Sequence, residues 1–374
     1  MSDRKIGKAE KKVRLLAFYL PQFHPTPEND AWWGKGFTEW TNVGKARPMY
    51  HGHYQPHVPA HLGYYDLRVP DTRAAQAEMA REHGIEAFCY YHYWFGGKRI
   101  LERPFNEVLT SREPDFPFCL CWANHSWTGI WAGAPGRTLI EQVYPGPEDH
   151  RTHFYTLLKA FSDDRYLTVD GKPLFLIYDP TNIPDILMLT EFWRELAHKA
   201  GLKGLYLVAM SREIGWDPRG IGFDASTPKD RLPLLRLDDV SRFELINRLK
   251  RKYQKVTGRP TIYQYEKVLS AWMYKDTHGF DEHPCILPNW DNTPRSGVNG
   301  MVLHGSTPEL FRIPLKNSIR YVGNRPMDHR LVFIKSWNEW AEGNYLEPDL
   351  KFGMSYLETV RNEVFGTPDA GSQL

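Results

Sequence analysis

Short apolar runs alternate with amphipathic stretches along most of the chain. Eight runs have the length and composition of strands, at 15–20, 86–94, 118–123, 173–179, 205–210, 222–226, 285–288 and 331–335. The intervening segments 72–82 and 186–199 show the apolar spacing of helices, and 354–364 forms a last helix. Strands that alternate with helices in this way predict successive βα units around a parallel sheet.

Local signals place the ends of several elements. Pro21 stops the first strand, Asp71 is predicted to cap the helix 72–82, and Gly84 ends that helix. The highly charged segment from Pro228 to Gly258 has a helical pattern. It fits either an insertion on the rim of the sheet or a plain connecting helix.

The eight predicted strands indicate an α/β fold, a single (β/α)8 barrel of the TIM type with elaborated βα loops. We predict one domain at 14–366, preceded by a basic tail at 1–13 and followed by a C-terminal tail at 367–374. Polar and aromatic residues follow several of the strands. In such barrels the active site lies on the face formed by the C-terminal ends of the strands.

Composition excludes some classes of protein. The 374 residues are 41% hydrophobic and 25% charged, as in ordinary globular proteins, and the formal net charge of +2 gives no reason to expect a nucleic-acid partner. The N-terminal segment 1–14 is charged, and the apolar run behind it is too short for a signal peptide or a membrane span. We therefore expect a cytoplasmic protein, and the sequence leaves its oligomeric state open.

Cysteine and aromatic usage adds two expectations. Cys89, Cys119, Cys121 and Cys285 contain no Cys-x-x-Cys pair, which favours buried free thiols in a reducing compartment. Thirteen Trp and twenty Tyr exceed what a core needs. Aromatic rings stack on the apolar faces of sugars, so carbohydrate is the favoured ligand class; a core that is simply rich in aromatic residues is the alternative.

The eighth run leads directly into two carboxylates, Glu339 and Glu342, with Trp337 and Trp340 beside them. Cleavage of a glycosidic bond usually needs one carboxylic acid to protonate the leaving oxygen and a second, ionised carboxylate. The indoles would present flat faces to a sugar. The alternative is a solvated turn after a strand, because most charged residues lie at the surface.

A histidine-rich loop at 51–61 offers imidazoles that could bind a metal ion. Pro56 and Pro59 prevent a helical His pair there, so we favour substrate hydrogen bonding or loop packing and predict neither metal nor cofactor. The chain has no Gly-rich phosphate loop and no nucleophile-elbow motif. The segments 91–94, 122–127 and 290–295 instead place hydrogen-bonding groups beside rings, a combination that suits a polyol.

Several long motifs give the chain a family resemblance: Phe18 to His24, Gly36 to Asn42, Gly52 to Pro56, Leu62 to Leu67, Asp291 to Arg295 and Trp337 to Gly343. Over about residues 14 to 350 the chain resembles the WbsX-like proteins. These are similar to glycoside hydrolase family 99, the endo-α-mannosidases and endo-mannanases. WbsX-like members are often linked to loci for bacterial O-antigen or other surface polysaccharides, and they have been labelled both hydrolases and transferases.

The likeness to family 99 implies a retaining mechanism through a 1,2-anhydro sugar. Glu339 would take the proton of the sugar's 2-hydroxyl, and Glu342 would protonate the leaving group and later activate water. This chemistry requires a 2-hydroxyl trans to the leaving group, as in α-D-mannosides and α-L-rhamnosides. Family 99 has Trp-Tyr after the first strand where this chain has Gln22, Phe23 and His24, so the sugar contacts are expected to differ.

Strand ends and motifs together predict a set of substrate-binding side chains. They are Tyr19, His24, Glu39, Trp40, His53, Tyr91, His92, Trp94, Trp122, Asn124, Trp127, Tyr178, Asp291, Arg295, Trp337, Asn338 and Trp340. The predicted function is hydrolysis of α-linked mannose or rhamnose in a bacterial surface polysaccharide. A glycosyltransferase of O-antigen or capsule biosynthesis and a noncatalytic glycan-binding module are the alternatives.

Overall fold

The computed structural model of the chain describes residues 11–129, 134–211, 215–229, 232, 254, 256–275 and 278–366. Its central feature is a ring of eight parallel strands whose spatial order follows the chain. The strands are β1 (Arg14–Tyr19), β2 (Ile85–His92), β3 (Phe118–Trp122), β4 (Lys172–Ile177), β5 (Tyr206–Ser211), β6 (Ala225–Pro228), β7 (Asp281–Glu282 and Cys285–Ile286) and β8 (Leu331–Ile334).

Strand β7 closes the ring although it is broken into two short pieces. Asp281–Glu282 pairs with β6, whereas Cys285–Ile286 pairs with β8, which in turn pairs with β1. Between the two pieces, the His283 N–H donates to the Ser226 carbonyl and the Phe333 N–H donates to the Pro284 carbonyl. The predicted (β/α)8 barrel is therefore confirmed.

Ten α-helices surround the strands in the described part of the chain. They are α1 (Pro27–Trp33), α2 (Glu39–Lys45), α3 (Pro70–Glu82), α4 (Arg103–Ser111), α5 (Pro147–Phe161), α6 (Ile186–Lys199), α7 (Tyr265–Val268), α8 (Thr293–Ser296), α9 (Pro308–Val322) and α10 (Ser355–Phe365). Helices α3, α4, α5, α6 and α9 each connect two successive barrel strands, and α10 follows β8. This is the βα alternation that the sequence predicts.

Short pairs of strands, antiparallel or parallel, form in the loops. They pair Trp94–Phe95 with Lys98–Arg99, Trp127–Gly129 with Ala134–Ile140, Thr168–Val169 with β4, Thr261–Gln264 with Met301–His304, and Asn338–Glu339 with Asn344–Tyr345. Most of these ladders lie in loops that leave the C-terminal ends of barrel strands. They give rigid walls to that face of the barrel.

Three details of the predicted elements are corrected. Asp71 does not cap α3, because the helix begins at Pro70 after Val69 and has no side-chain cap; proline is well suited to a first helical position. Strand β6 lies a few residues later than 222–226, and β7 ends at Ile286 rather than at 288. The predicted charged segment at 228–258 lies almost wholly outside the described residues.

The barrel strands are buried along nearly their whole length, as expected when both faces of a parallel sheet are covered. All four cysteines are buried free thiols, as predicted. Burial raises the pKa of the Cys121 thiol well above its ordinary value, which makes it unreactive. No helix in the described ranges is long and apolar enough to cross a membrane.

Candidate active site

The segment after β8 is fixed to the barrel through its backbone. The Trp337 N–H donates to the Phe18 carbonyl of β1 at 2.7 Å. The Asn338 side chain bonds both backbone groups of Leu20, accepting from its N–H at 2.8 Å and donating to its carbonyl at 3.1 Å. These contacts hold the start of the segment against β1, so the residues that follow it have a defined direction.

Glu339 and Glu342 enter one cleft because of the turn between them. Trp340–Glu342 is a single turn of 3₁₀ helix that directly follows Glu339. Side chains three positions apart eclipse one another in such a turn. Ser336 Oγ accepts from the Glu339 N–H at 3.0 Å and donates to the Asn344 carbonyl at 2.6 Å, which fixes the entry to the turn.

The cleft has a volume of about 800 Å³ and lies at the C-terminal ends of the strands. Seven of the predicted residues line it: Glu39, Tyr91, Trp127, Tyr178, Arg295, Glu339 and Glu342. They come from the end of β2 and from the segments after β1, β3, β4, β7 and β8, so the barrel brings together residues that are far apart in sequence. The volume suits a ligand of several rings.

The two carboxyl groups are hydrogen-bonding partners, and each shifts the pKa of the other. Burial raises the pKa of Glu339 well above its ordinary value, and the nearby Glu342 raises it further. Burial would also raise the pKa of Glu342, but Arg295, the hydrogen bond with Glu339 and the charge of Lys335 together outweigh burial and lower that pKa. In the substrate-free protein Glu339 thus holds the proton and Glu342 is the charged partner.

Arg295 connects two acidic side chains of the cleft. Its Nη1 donates to Glu342 Oε1 at 2.6 Å and its Nε donates to Glu39 Oε2 at 3.0 Å. Burial alone would lower the pKa of Arg295, but the charges of Glu39, Glu342 and Glu339 raise it above its ordinary value. The guanidinium is therefore a permanent positive charge that keeps Glu342 ionised.

Aromatic rings and a lysine also line the cleft. Lys335, directly after β8, is buried and places its Nζ 5.4 Å from the ring centre of Trp290 and 5.9 Å from that of Tyr178. Its charge lowers the pKa of Glu339, which partly offsets burial. Trp127 packs edge-on against Tyr93 at 5.2 Å, so indole and phenol rings meet at the cleft wall.

Trp337 and Trp340 do not offer their faces to the cleft, so that expectation is corrected. Trp337 is completely buried and packs against Phe88. Trp340 stacks on Tyr345 with ring centres 3.8 Å apart. Both indoles support the carboxylate-bearing turn from behind instead of contacting a ligand.

Glu347 is the polar centre behind that turn. Its carboxylate accepts hydrogen bonds from Trp340 Nε1 at 2.6 Å, the Gln76 amide at 2.6 Å and the Tyr65 hydroxyl at 2.9 Å. Burial raises the pKa of Glu347 to about 7, although these donors oppose the shift. Glu347 therefore anchors the turn through the Trp340 indole.

Side-chain alternation explains why part of the β2 prediction was wrong. Tyr91 and Tyr93 line the cleft, whereas His92 and Trp94 point to the other side. There His92 Nε2 lies 2.8 Å from His153 Nε2, and Trp94 stacks on the His153 ring at 4.5 Å. His92 and Trp94 thus belong to the packing between β2 and α5.

The remaining predicted residues also lie outside the cleft lining. Five of them pack within the barrel or under the loop after β1: Tyr19, His24, Trp40, Trp122 and Asn338. The side chain of Asn124 bonds the backbone of Asp179. His53 and Asp291 bond each other at 2.7 Å behind the cleft. Burial lowers the pKa of His24 to about 4, so this imidazole is neutral. None of the eight side chains is placed to contact a ligand beside Glu339.

Several lining residues were missed by the sequence prediction. Lys335, Tyr93, Trp33, Trp290 and Asn292 all face the cleft. Lys335 could have been recognised because a lysine at the end of an apolar strand is unusual. Tyr93, Trp290 and Asn292 could have been recognised from the two-residue period of extended chain, which puts alternate side chains on one face. Trp33 is the last residue of α1, a short helix after β1 that the sequence pattern does not predict.

Within the described ranges, no group of three or more His, Cys, Asp or Glu side chains has the arrangement of a metal site. The histidines of the loop at 51–61 are used in other ways. His53 Nδ1 accepts from the Met49 N–H at 3.1 Å, and His57 Nδ1 contacts the Tyr345 hydroxyl at 2.7 Å. The loop therefore packs through its imidazoles.

Comparison with known proteins agrees with these observations. Residues 15–360 match the sequence model of the family described as "Glycosyltransferase WbsX". The chain belongs to the WbsX family. It is 37% identical over 361 residues to proteins called "Uncharacterized protein WxcX" in two strains of Xanthomonas campestris pv. campestris. The aligned region is 96% of this chain and 51% of theirs, so the chain spans about half the length of these curated relatives.

Solved structures show the same fold. A "Glycoside hydrolase-like protein" superposes with a TM-score of 0.60 at 16% identity, covering 97% of both chains. The GH99 endo-alpha-mannosidase from Bacteroides thetaiotaomicron has a TM-score of 0.56 at 15% identity, covering 95% of this chain and 97% of that one. At these identities the two structures show that this chain shares their fold.

Proposed function

We propose that the protein is a retaining glycoside hydrolase that cleaves α-linked mannose or rhamnose units in a bacterial surface polysaccharide. The observation that carries the proposal is the hydrogen-bonded pair Glu339 and Glu342, buried at the floor of a cleft with aromatic walls. Acid and base in one water-poor site are what glycosidic cleavage needs. The manno configuration rests on the resemblance to family 99.

The number of protons bound by Glu339 and Glu342 suits the reaction. One proton is required for the leaving oxygen, and one vacant carboxylate is required for the sugar's 2-hydroxyl. The pair holds one proton at rest, on Glu339. For Glu339 to act as base and Glu342 as acid, that proton must cross their shared hydrogen bond when the substrate binds. Formation of the 1,2-anhydro sugar then moves the 2-hydroxyl proton to Glu339 and the proton of Glu342 to the leaving oxygen.

Leaving-group dependence tests this order of roles. Glu339→Gln and Glu342→Gln should each reduce turnover of an α-mannan or α-rhamnan by at least about 1,000-fold. An aryl glycoside with an acidic phenol needs no proton donor, so it should restore release of the phenol in the first turnover of Glu342→Gln but not of Glu339→Gln. Restoration of Glu339→Gln alone would reverse the roles, and full activity of both variants would refute the pair. The exposed Glu148→Gln is the matched control.

A glycosyltransferase is the second candidate, and the description of the WbsX family favours it. A nucleotide-sugar donor brings a diphosphate that must be neutralised by cations. In the cleft, Arg295 is already bonded to Glu39 and Glu342. Calorimetry with nucleotide sugars and a divalent ion separates the candidates: a hydrolase gives no binding heat, whereas micromolar affinity would favour the transferase.

A further inference from the structure

A second cavity, of about 250 Å³, opens on the same face of the barrel. Its main polar and aromatic lining residues are His53, Tyr54, His57, His304, Asp349 and Lys351. They come from the loop after β1, the ladder at Met301–His304 and the loop after β8. The histidine-rich loop, for which substrate hydrogen bonding and loop packing were both expected, thus forms one wall of this cavity.

Only a thin wall separates the second cavity from the cleft. Trp290 and Asn292 line the cleft, whereas Asp291 between them lines the second cavity. In the same way, Glu342 lines the cleft and Gly343 lines the second cavity. The Asp291 N–H donates to the Glu342 carbonyl at 2.6 Å, so the two segments of the wall are joined directly.

The charges of the second cavity suit a neutral ligand better than an anion. Lys351 contributes one positive charge, and Asp291 and Asp349 contribute two negative charges, which sums to −1 for the described lining. Burial lowers the pKa of both His57 and His304, so neither imidazole adds a positive charge. Phosphates and acidic sugars would therefore be repelled.

The hydrogen-bonding groups suit a polyol better than a metal ion. Asp349 is satisfied by the Tyr345 hydroxyl and by the N–H groups of Lys351 and Phe352. Both ring nitrogens of His53 are hydrogen-bonded. The ammonium of Lys351 lies between two rings, 4.6 Å from the centre of Tyr54 and 4.7 Å from that of Phe352. A cavity lined by a donor and by aromatic rings matches the mixed polar and C–H surface of a sugar.

Size points to a single ring. At about 30 Å³ for each water in the liquid, the volume corresponds to roughly eight waters. That is the space of one pyranose and not of an oligosaccharide.

We propose that the second cavity binds one neutral sugar unit of the glycan, in addition to the units held beside Glu339 and Glu342. The inference rests on the proposed function, because it takes a glycan as the substrate. It predicts that long substrates gain affinity from a pocket that short ones do not reach.

Chain-length dependence tests the second cavity. The probes are α-mannan and α-rhamnan oligosaccharides of graded length, together with a small aryl glycoside. Tyr54→Ala and Lys351→Ala remove a ring and a donor without touching the carboxyl pair. We expect each to raise KM for the longest oligosaccharides by at least about fivefold, while kcat and the aryl glycoside reaction are unchanged. Tyr155→Ala, a change of an exposed ring on α5, is the matched control.

Equal KM values for native protein and both variants on every chain length would overturn the inference while leaving the hydrolase intact. Failure of the native protein to cleave any probe would instead contradict the proposed function. Calorimetry then tests the cavity directly with the same oligosaccharides. The proposed sugar site is supported if Tyr54→Ala and Lys351→Ala weaken binding and Tyr155→Ala does not. It is overturned if the native chain does not bind the oligosaccharides. Lys351 is exposed, so its variant tests the cavity even if Tyr54→Ala does not fold.

Discussion

Arg295 determines how charge is distributed over the acidic floor of the cleft. The guanidinium reaches two carboxylates with two different nitrogens, which a lysine ammonium cannot do from one position. It is itself placed by α8, whose first turn is held by Asp291 Oδ1 through the Thr293 N–H at 3.0 Å and the Thr293 hydroxyl at 2.6 Å. A short helix thus positions the charge that separates the pKa values of Glu339 and Glu342.

Arg295→Lys should reduce kcat/KM at least about tenfold, because one of the two carboxylates loses its partner. Since Arg295 lowers the pKa of Glu342, weakening the contact raises that pKa. The acid limb of the pH–rate profile should therefore move to higher pH. The measurement is kcat/KM against pH, with the exposed Arg219→Lys as control. An acid limb that stays in place would show that Arg295 does not set the charge of Glu342.

Glu347 makes stability depend on pH. Its pKa is about 7 in the folded protein and near its ordinary value of 4.5 when unfolded. The folded state therefore holds a proton that the unfolded state has lost between these pH values. The free energy of unfolding should fall as pH rises from about 4.5 to 7, by on the order of 3 kcal/mol from this group.

Glu347→Gln should remove that dependence, because an amide does not titrate in this range. Urea unfolding at pH 5 and pH 7 gives the slope for both proteins, and the slope is the readout because the amide also changes the hydrogen bonds to Trp340 and Gln76. Glu148→Gln, on the exposed side of α5, should keep the native slope. A native slope in Glu347→Gln would mean that the buried carboxyl is ionised throughout.

The turn after β8 lies in close contact with the segment after β7. Gly343 has φ +60°, and a Cβ there would lie 2.9 Å from both the backbone nitrogen and the Cβ of Asp291. Gly343 is thus required both by its left-handed conformation and by close approach. It lets the turn that carries Glu342 lie against the wall between the two cavities.

Gly343→Ala should displace this turn and lower kcat/KM at least about tenfold. Gly63→Ala is a matched control, because Gly63 has φ +61° and no atom within 4 Å of the added Cβ. Gly63→Ala should cost about 1 kcal/mol of stability from conformation alone and leave turnover unchanged. Urea denaturation and turnover are measured for both. Equal effects of the two changes on turnover would show that contact with Asp291 is unimportant.

Sequence predicted the elements well because periodicity reports burial. The helix predicted at 186–199 is observed as Ile186–Lys199, and each of the eight apolar runs corresponds to a barrel strand. The first piece of β7, Asp281–Glu282, was not predicted, because two residues are too few to show a period. Glu339 and Glu342 were recognisable because two acids directly follow a buried strand.

The other site residues were harder to predict because they depend on long-range packing. Trp337 and Trp340 look like sugar platforms in the sequence, but Phe88 and Tyr345 already cover their faces. His53 and Asp291 were predicted to bind substrate, yet they bond each other behind the cleft. Which side of a loop faces a ligand is decided by its partners, and these come from other parts of the chain.

At the scale of the whole molecule, the barrel gathers the site from six of its eight strand ends. One continuous core extends from Val13 to Val364, which makes the walls of both cavities parts of the same packed body. The carboxyl pair, the cation between the acids and the aromatic wall are thus held in fixed relation. Preorganised charges of this kind can stabilise a developing oxocarbenium ion without further rearrangement.

Proton NMR during digestion tests the central claim most directly, because it observes bond cleavage and the configuration of the new reducing end together. With α-mannan or α-rhamnan as substrate, the native protein should first release α-configured reducing ends, and Glu339→Gln and Glu342→Gln should release none. No reducing ends from the native protein with either glycan, or β-configured ends as the first product, would contradict a retaining hydrolase built on this pair of carboxyl groups.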